Sequence, residues 1–138
     1  MDCLFCRIIK KEISAEIVYE DENVLSFLDV NPRAPGHTLV LLKAHIETIL
    51  GLADNLNSPF LRAVKSTIKL LKSALAPDGF TIGINHGKAA GQAIEHLHLH
   101  IIPRYKNDGG ASLHSIVNNP SEESLRAIKE KIAKTKNI

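Results

Sequence analysis

The segment His96-Leu97-His98-Leu99-His100-Ile101 alternates an imidazole with an aliphatic side chain at every step. Successive side chains of a β-strand point to opposite faces, so a strand here puts His96, His98 and His100 on one face and Leu97, Leu99 and Ile101 on the other. The aliphatic face has to be covered, which demands a sheet with other elements packed against it. Neighbouring imidazoles on the shared face lie ~7 Å apart at Cα, the outer two about twice that. Adjacent rings can share one metal ion, and all three can do so only if the strand bends. The residues leave three readings open: a solvated sheet face, a mononuclear metal site using two of the rings, and metal-free nucleophilic or acid–base chemistry, for which imidazole suits neutral pH.

The remaining pattern supplies the partners such a strand needs. Cys3 to Lys10 reads as a short helical turn, with Phe5, Ile8 and Ile9 at helical spacing. Ile17–Glu20 and Asn23–Asp29 are rich in β-branched and aromatic residues and read as a hairpin turning at Glu20–Asp21–Glu22. After a loop marked by Asn31–Pro32 and Pro35–Gly36, His37–Leu42 reads as a buried strand. Leu61, Val64, Ile68, Leu71 and Leu75 mark a long helix from about Pro59 to Leu75, with Ser58 as N-cap and Pro77 and Gly79 ending it. Phe80–Asn85 is a further strand, Gly87–Gly91 a small-residue loop, Glu95–Ile102 the histidine strand, and Ser121–Lys134 an amphipathic helix carrying Leu125, Ile128 and Ile132. This order predicts an α+β fold: an antiparallel sheet of about five strands, one long helix and a C-terminal helix, in a single domain over residues 1–138.

Composition narrows the partners. With 17 Lys+Arg against 15 Asp+Glu the net charge is +2, too weak a field for duplex nucleic acid or an anionic membrane to be the main partner. Four Phe, two Tyr and no Trp make a poor stacking surface for single strands. The longest apolar run, Leu39–Leu42, falls far short of the ~20 residues of a membrane helix, and the N-terminus lacks the layout of a secretory signal, so the expected location is cytoplasmic. Cys3 and Cys6 form a C-x-x-C pair without the preceding strand of a thioredoxin-like redox site. It reads as half of a zinc site or as two reduced, metal-free thiols.

The run His96-Leu-His-Leu-His100-Ile-Ile102 resembles the His-x-His-x-His-x-x motif of the histidine triad (HIT) superfamily of nucleotide hydrolases and transferases. Cys3-Leu-Phe-Cys6-Arg-Ile-Ile9, Phe27-Leu-Asp29, Ala34-Pro-Gly-His-Thr-Leu-Val40, Lys43-Ala-His45, Gly91-Gln92 and Ile102-Pro-Arg104 are similar in order to its other segments, the last to its bacterial Hint-type branch. The resemblance implies a HIT-like fold and a purine nucleoside phosphoramidase or related hydrolase, acting on AMP or GMP derivatives through a nucleotidyl-histidine. It implies His98 as nucleophile, His100 as acid–base and phosphate-binding group, and His37 as the supporting fourth histidine. It implies a nucleotide site from Phe5, Ile8, Phe27, Leu28, Val30, Asp29 (ribose), Asn85, Gly91 and Gln92. It also implies structural Zn2+ on Cys3, Cys6, His45 and His96, and a homodimer whose sheets join. Ala93 stands where many eukaryotic Hint-type members have Ser or Thr, which bears on the leaving group. The Lys-rich end, Lys129, Lys131, Lys134 and Lys136, replaces an aromatic eukaryotic tail. Two alternatives accompany this reading: a zinc-dependent hydrolase using His37, His98 and His100 as ligands, and a nucleotide-binding interaction protein with incidental catalysis.

Overall fold

A computed structural model describes residues 2–135, so Lys136 lies outside the described residues. Five strands form one antiparallel sheet in the order β1-β2-β3-β5-β4: β1 (Ile17–Glu20), β2 (Val24–Leu28), β3 (Thr38–Leu42), β4 (Gly79–Gly83) and β5 (His98–Arg104). The hairpin turn is held by Asp21, whose Oδ1 accepts the backbone N–H groups of Asn23 and Val24 at 2.8 Å each. The expected α+β architecture is therefore the observed one.

Both faces of the sheet are covered. On one, Val24, Val40, Leu42, Leu99 and Ile101 pack against Phe60, Ala63, Val64 and Leu71 of α2 (Asp54–Leu75). Burying Phe60, Val64 and Leu71 contributes on the order of 1.5–3 kcal/mol each. On the other face, Leu25, Phe27, Leu39 and Leu41 pack against Phe5 and Ile8 of α1 (Leu4–Ile9). Double coverage explains why β3 is buried at every position rather than at alternate ones. It also removes the solvated-face reading of the histidine strand: His98 is 7% exposed and His96 0%.

Several boundaries differ from the sequence expectation, four of them by enough to bear on packing or on the site. The long helix starts at Asp54 with Ala53 as N-cap, so Pro59 lies inside it. Extending the helix backwards buries Leu56 against the α2-side core, while Pro59, so near the start, removes a single helical hydrogen bond. Its buried stripe runs through Phe60, Ala63, Val64, Thr67 and Leu71, leaving Leu61 59% exposed. Thr67 Oγ1 sits 2.8 Å from Ser26 Oγ and donates to the Ala63 carbonyl at 2.8 Å, so a buried hydroxyl pair joins α2 to β2. The β4 strand ends at Gly83 rather than Asn85, and β5 begins at His98, leaving His96 in a bend ahead of the strand. The last helix, α3 (Leu125–Ala133), starts four residues late, capped by Ser124, and its Leu125 and Ile132 are 90% and 63% exposed.

Candidate active site and thiol–imidazole cluster

A cavity of about 450 Å³ opens on the α1 side of the sheet, with His98 and His100 in its wall. Phe5, Ile8, Phe27, Asp29, Val30, Asn85 and Gly91 line it as the resemblance implies. Leu28 does not. It follows Phe27 in β2 and therefore points to the other face, where it is 37% exposed. Gln92 is also absent from the wall: its Oε1 accepts the Gly87 N–H at 2.8 Å and its Nε2 donates to the Glu47 and Ile94 carbonyls at 2.8 and 3.1 Å. It ties the small-residue loop down rather than facing the cavity. Leu4, Ile13, Ser14, Ala15, Asn31, Leu39, Ala93 and Ile94 complete the wall and had no sequence signal, apart from Ala93.

The partners of the imidazole nitrogens specify each neutral tautomer. The His98 Nδ1 lies 2.7 Å from the His96 carbonyl, an acceptor only, so Nδ1 carries the proton and Nε2 keeps its lone pair. The Arg33 backbone N–H donates to His37 Nδ1 at 3.1 Å, which leaves the His37 proton on Nε2. That Nε2 faces His100 Nδ1 at 2.9 Å and donates to it, so the His100 proton sits on Nε2. The pair His98 and His100 thus presents one lone pair and one N–H. The Phe5 ring meets His98 edge-on with centroids 5.1 Å apart, and His98 and His100 centroids are also 5.1 Å apart. Burial, then the neighbouring His98 and His37, push the His100 pKa down to about 4. Burial also lowers that of His37, against the opposing pull of the Asp29 carboxylate 3.6 Å away.

His37 is 3% exposed and sits behind His100 rather than in the wall. Asp29 Oδ1 accepts the Asn31 N–H at 2.9 Å, and its own N–H donates to the His37 carbonyl, so the loop before β3 and the carboxylate are fixed together. Gly36 permits this turn at φ +87°. His37, His98 and His100 do not converge as a metal site. Asp29, His37 and His100 do come within 4.8 Å of one another, but His37 Nε2 and His100 Nδ1 share a hydrogen bond instead of directing two lone pairs at one point.

A second cluster adjoins the first. Ligand atoms of Cys3, Cys6, His45 and His96 all lie within 4.8 Å of one another. His96 Nδ1 is 3.6 Å from Cys3 Sγ and 3.6 Å from Cys6 Sγ, and His45 Nδ1 is 3.3 Å from Cys6 Sγ. His96 Nε2 donates to the Leu42 carbonyl at 2.8 Å, which leaves the Nδ1 lone pair facing the sulfurs. Zinc bonds of 2.3 Å to sulfur and 2.0–2.1 Å to nitrogen put tetrahedral ligand atoms about 3.5 Å apart, so this donor set fits the ion. His45 Nε2 is buried without a partner among the described residues, so its Nδ1 contact with the Cys6 thiol is what places that ring. Burial and the neighbouring Cys3 raise the Cys6 pKa.

A HIT domain family model matches residues 10–107. An uncharacterised HIT-like protein of Methanocaldococcus jannaschii is 48% identical over 128 residues, covering 92% of this chain and 98% of its own. The adenosine 5'-monophosphoramidase hnt1 of Schizosaccharomyces pombe is 32% identical over 133 residues, covering 96% and 97%. The crystal structure of a HIT family member from Bacillus subtilis superposes with a TM-score of 0.85 at 37% identity, covering 98% of this chain and 97% of that one. With the sheet, the paired histidines and these likenesses in agreement, the chain belongs to the HIT domain family.

Proposed function

We propose that the chain is a nucleotide hydrolase of the phosphoramidase type. It would cleave at the α-phosphate of a purine nucleoside monophosphate joined to an amine or other leaving group. The observation that carries this reading is the tautomer of His98: its Nδ1–H is held by the His96 carbonyl, so the Nε2 lone pair is fixed on the cavity side as a nucleophile. The purine packs among Phe5, Ile8 and Phe27, and the Asp29 carboxylate accepts from the ribose hydroxyls. His98 Nε2 then bonds to phosphorus as the bond to the leaving group breaks. His100 Nε2–H donates to a phosphate oxygen, with the His37 N–H behind it holding that tautomer, and the departing amine takes its proton from solvent. Water next displaces His98 and returns a proton to solvent, releasing the nucleoside monophosphate and freeing the His98 Nε2 lone pair. The relative in Schizosaccharomyces pombe bears the name of the same reaction class.

Cys3, Cys6, His45 and His96 would hold zinc as a closed structural site. Such an ion supplies a four-way crosslink with no open position for substrate. Two free thiols suit a reducing compartment, in keeping with a cytoplasmic enzyme. The functional unit is a homodimer joined sheet to sheet; β4 ends the sheet and leaves Ile82 38% exposed. A monomer mass in sedimentation equilibrium would count against it.

The reading is tested with adenosine 5'-phosphoramidate. Turnover should fall on the order of 10³-fold or more in His98→Ala, with the far-ultraviolet dichroism unchanged. A variant as fast as the wild type removes His98 as the nucleophile.

A further inference from the structure

Helix α1 has six residues, too few to be stable alone, so packing decides where it sits. Its two sides serve two different sites. Cys3, its N-cap, and Cys6 point into the thiol–imidazole cluster, while Leu4, Phe5 and Ile8 line the cavity that holds His98 and His100. A second bridge runs through His96. Its Nδ1 faces both sulfurs, and its carbonyl takes the His98 Nδ1–H at 2.7 Å. Phe5 closes the link between the two, its centroid 6.0 Å from the His96 ring and 5.1 Å from the His98 ring. α1 and His96 therefore belong to both sites at once.

We propose that metal occupancy of the Cys3–Cys6–His45–His96 cluster and nucleotide occupancy of the His98 cavity are coupled, each raising the affinity of the other through α1. The proposal rests on the zinc and nucleotide readings above. A metal ion holding Cys3 and Cys6 fixes α1 from one side. A base packed on Phe5 and Ile8 fixes it from the other, so whichever ligand binds second orders less of the chain. Coupling of binding free energies is reciprocal, so the same factor applies in both directions. The metal site thereby becomes a control on how well the pocket retains nucleotide, beyond a static brace.

The full chain, purified with its zinc, is titrated at equilibrium with a chelating dye, alone and with saturating AMP. The dye concentration that removes half of the zinc should rise about five-fold or more with AMP. Ribose 5-phosphate lacks the base that reaches Phe5 and Ile8; at equal occupancy it should produce a clearly smaller rise. Calorimetric titration of AMP into the zinc-loaded chain runs in parallel. If AMP binds and the dye curve does not move, the coupling is refuted while the nucleotide reading stands. An equal rise with ribose 5-phosphate refutes the route through α1 and assigns the effect to general stabilisation of the fold. Failure of AMP to bind overturns the nucleotide reading and the coupling together, and absence of stoichiometric zinc from the purified chain overturns the metal reading and the coupling together.

Discussion

Lowering the pH should destabilise the fold through His100 by an amount that can be worked out. The unfolded chain carries this histidine near the ordinary value of 6.5, and the fold holds it at about 4 because burial, His98 and His37 all disfavour its cation. Between these values the unfolded state binds a proton that the native state refuses. The contribution of His100 is thus complete above about pH 6.5, declines as the pH falls, and levels off below about pH 4. Linkage gives a loss of ~2 kcal/mol between about pH 7.5 and pH 5, with a slope near ~1 kcal/mol per pH unit at the lower end. Urea unfolding of the wild type and His100→Gln over that range measures it. Glutamine does not titrate, so the wild-type curve should be steeper than that of the variant by this slope, while contributions from His37 and His96, both also lowered by burial, remain in the two curves alike. Parallel curves would show that His100 is not held neutral by its surroundings and would undo the tautomer sequence from Arg33 through His37.

Gly36→Ala should cost ~1–2 kcal/mol in urea unfolding, since a φ of +87° disfavours alanine and the added Cβ also displaces the Leu75 side chain; a neutral effect would show that this turn does not set the position of His37. Gln92→Ala should lower stability by ~1–3 kcal/mol, having stripped partners from the Gly87 N–H and the Glu47 and Ile94 carbonyls. An intact fold with KM alone raised would instead put Gln92 on the substrate. Ser26→Ala should cost ~1 kcal/mol through the buried hydroxyl pair with Thr67, and no change in urea midpoint would deny that pair a structural role.

Much of the fold is legible in the chain because its signals are local. The period of two in His98–Ile101 orients β5, and β3 announces itself as an unbroken apolar run. Where tertiary packing competes with a local rule, the local rule fails. Pro59 marks a helix start by propensity, yet burying Leu56 carries the helix back to Asp54. The site divides the same way. Alternation puts His98 and His100 on one face, but their roles come only with the family resemblance, and His45 and His96 lie 39 and 90 residues from Cys6, where again only resemblance joins them in advance. Resemblance implies Leu28 for the pocket beside Phe27, but neighbours in a strand face opposite ways and Leu28 lies outside the wall. Ile13, Ser14 and Ala15 enter the wall from a segment with no periodicity. The features that set the tautomers are backbone groups, the Arg33 N–H for His37 and His100 and the His96 carbonyl for His98, which no sequence can single out.

The covalent step at His98 is read most directly by the stereochemical course at phosphorus, which does not require the intermediate to accumulate. An adenosine phosphoramidate made chiral at phosphorus with sulfur is hydrolysed in isotopically labelled water, and the configuration of the product is determined. Attack by His98 Nε2 followed by attack of water inverts phosphorus twice, so the product should show net retention. Net inversion would mean that water attacks directly and that His98 is not the nucleophile.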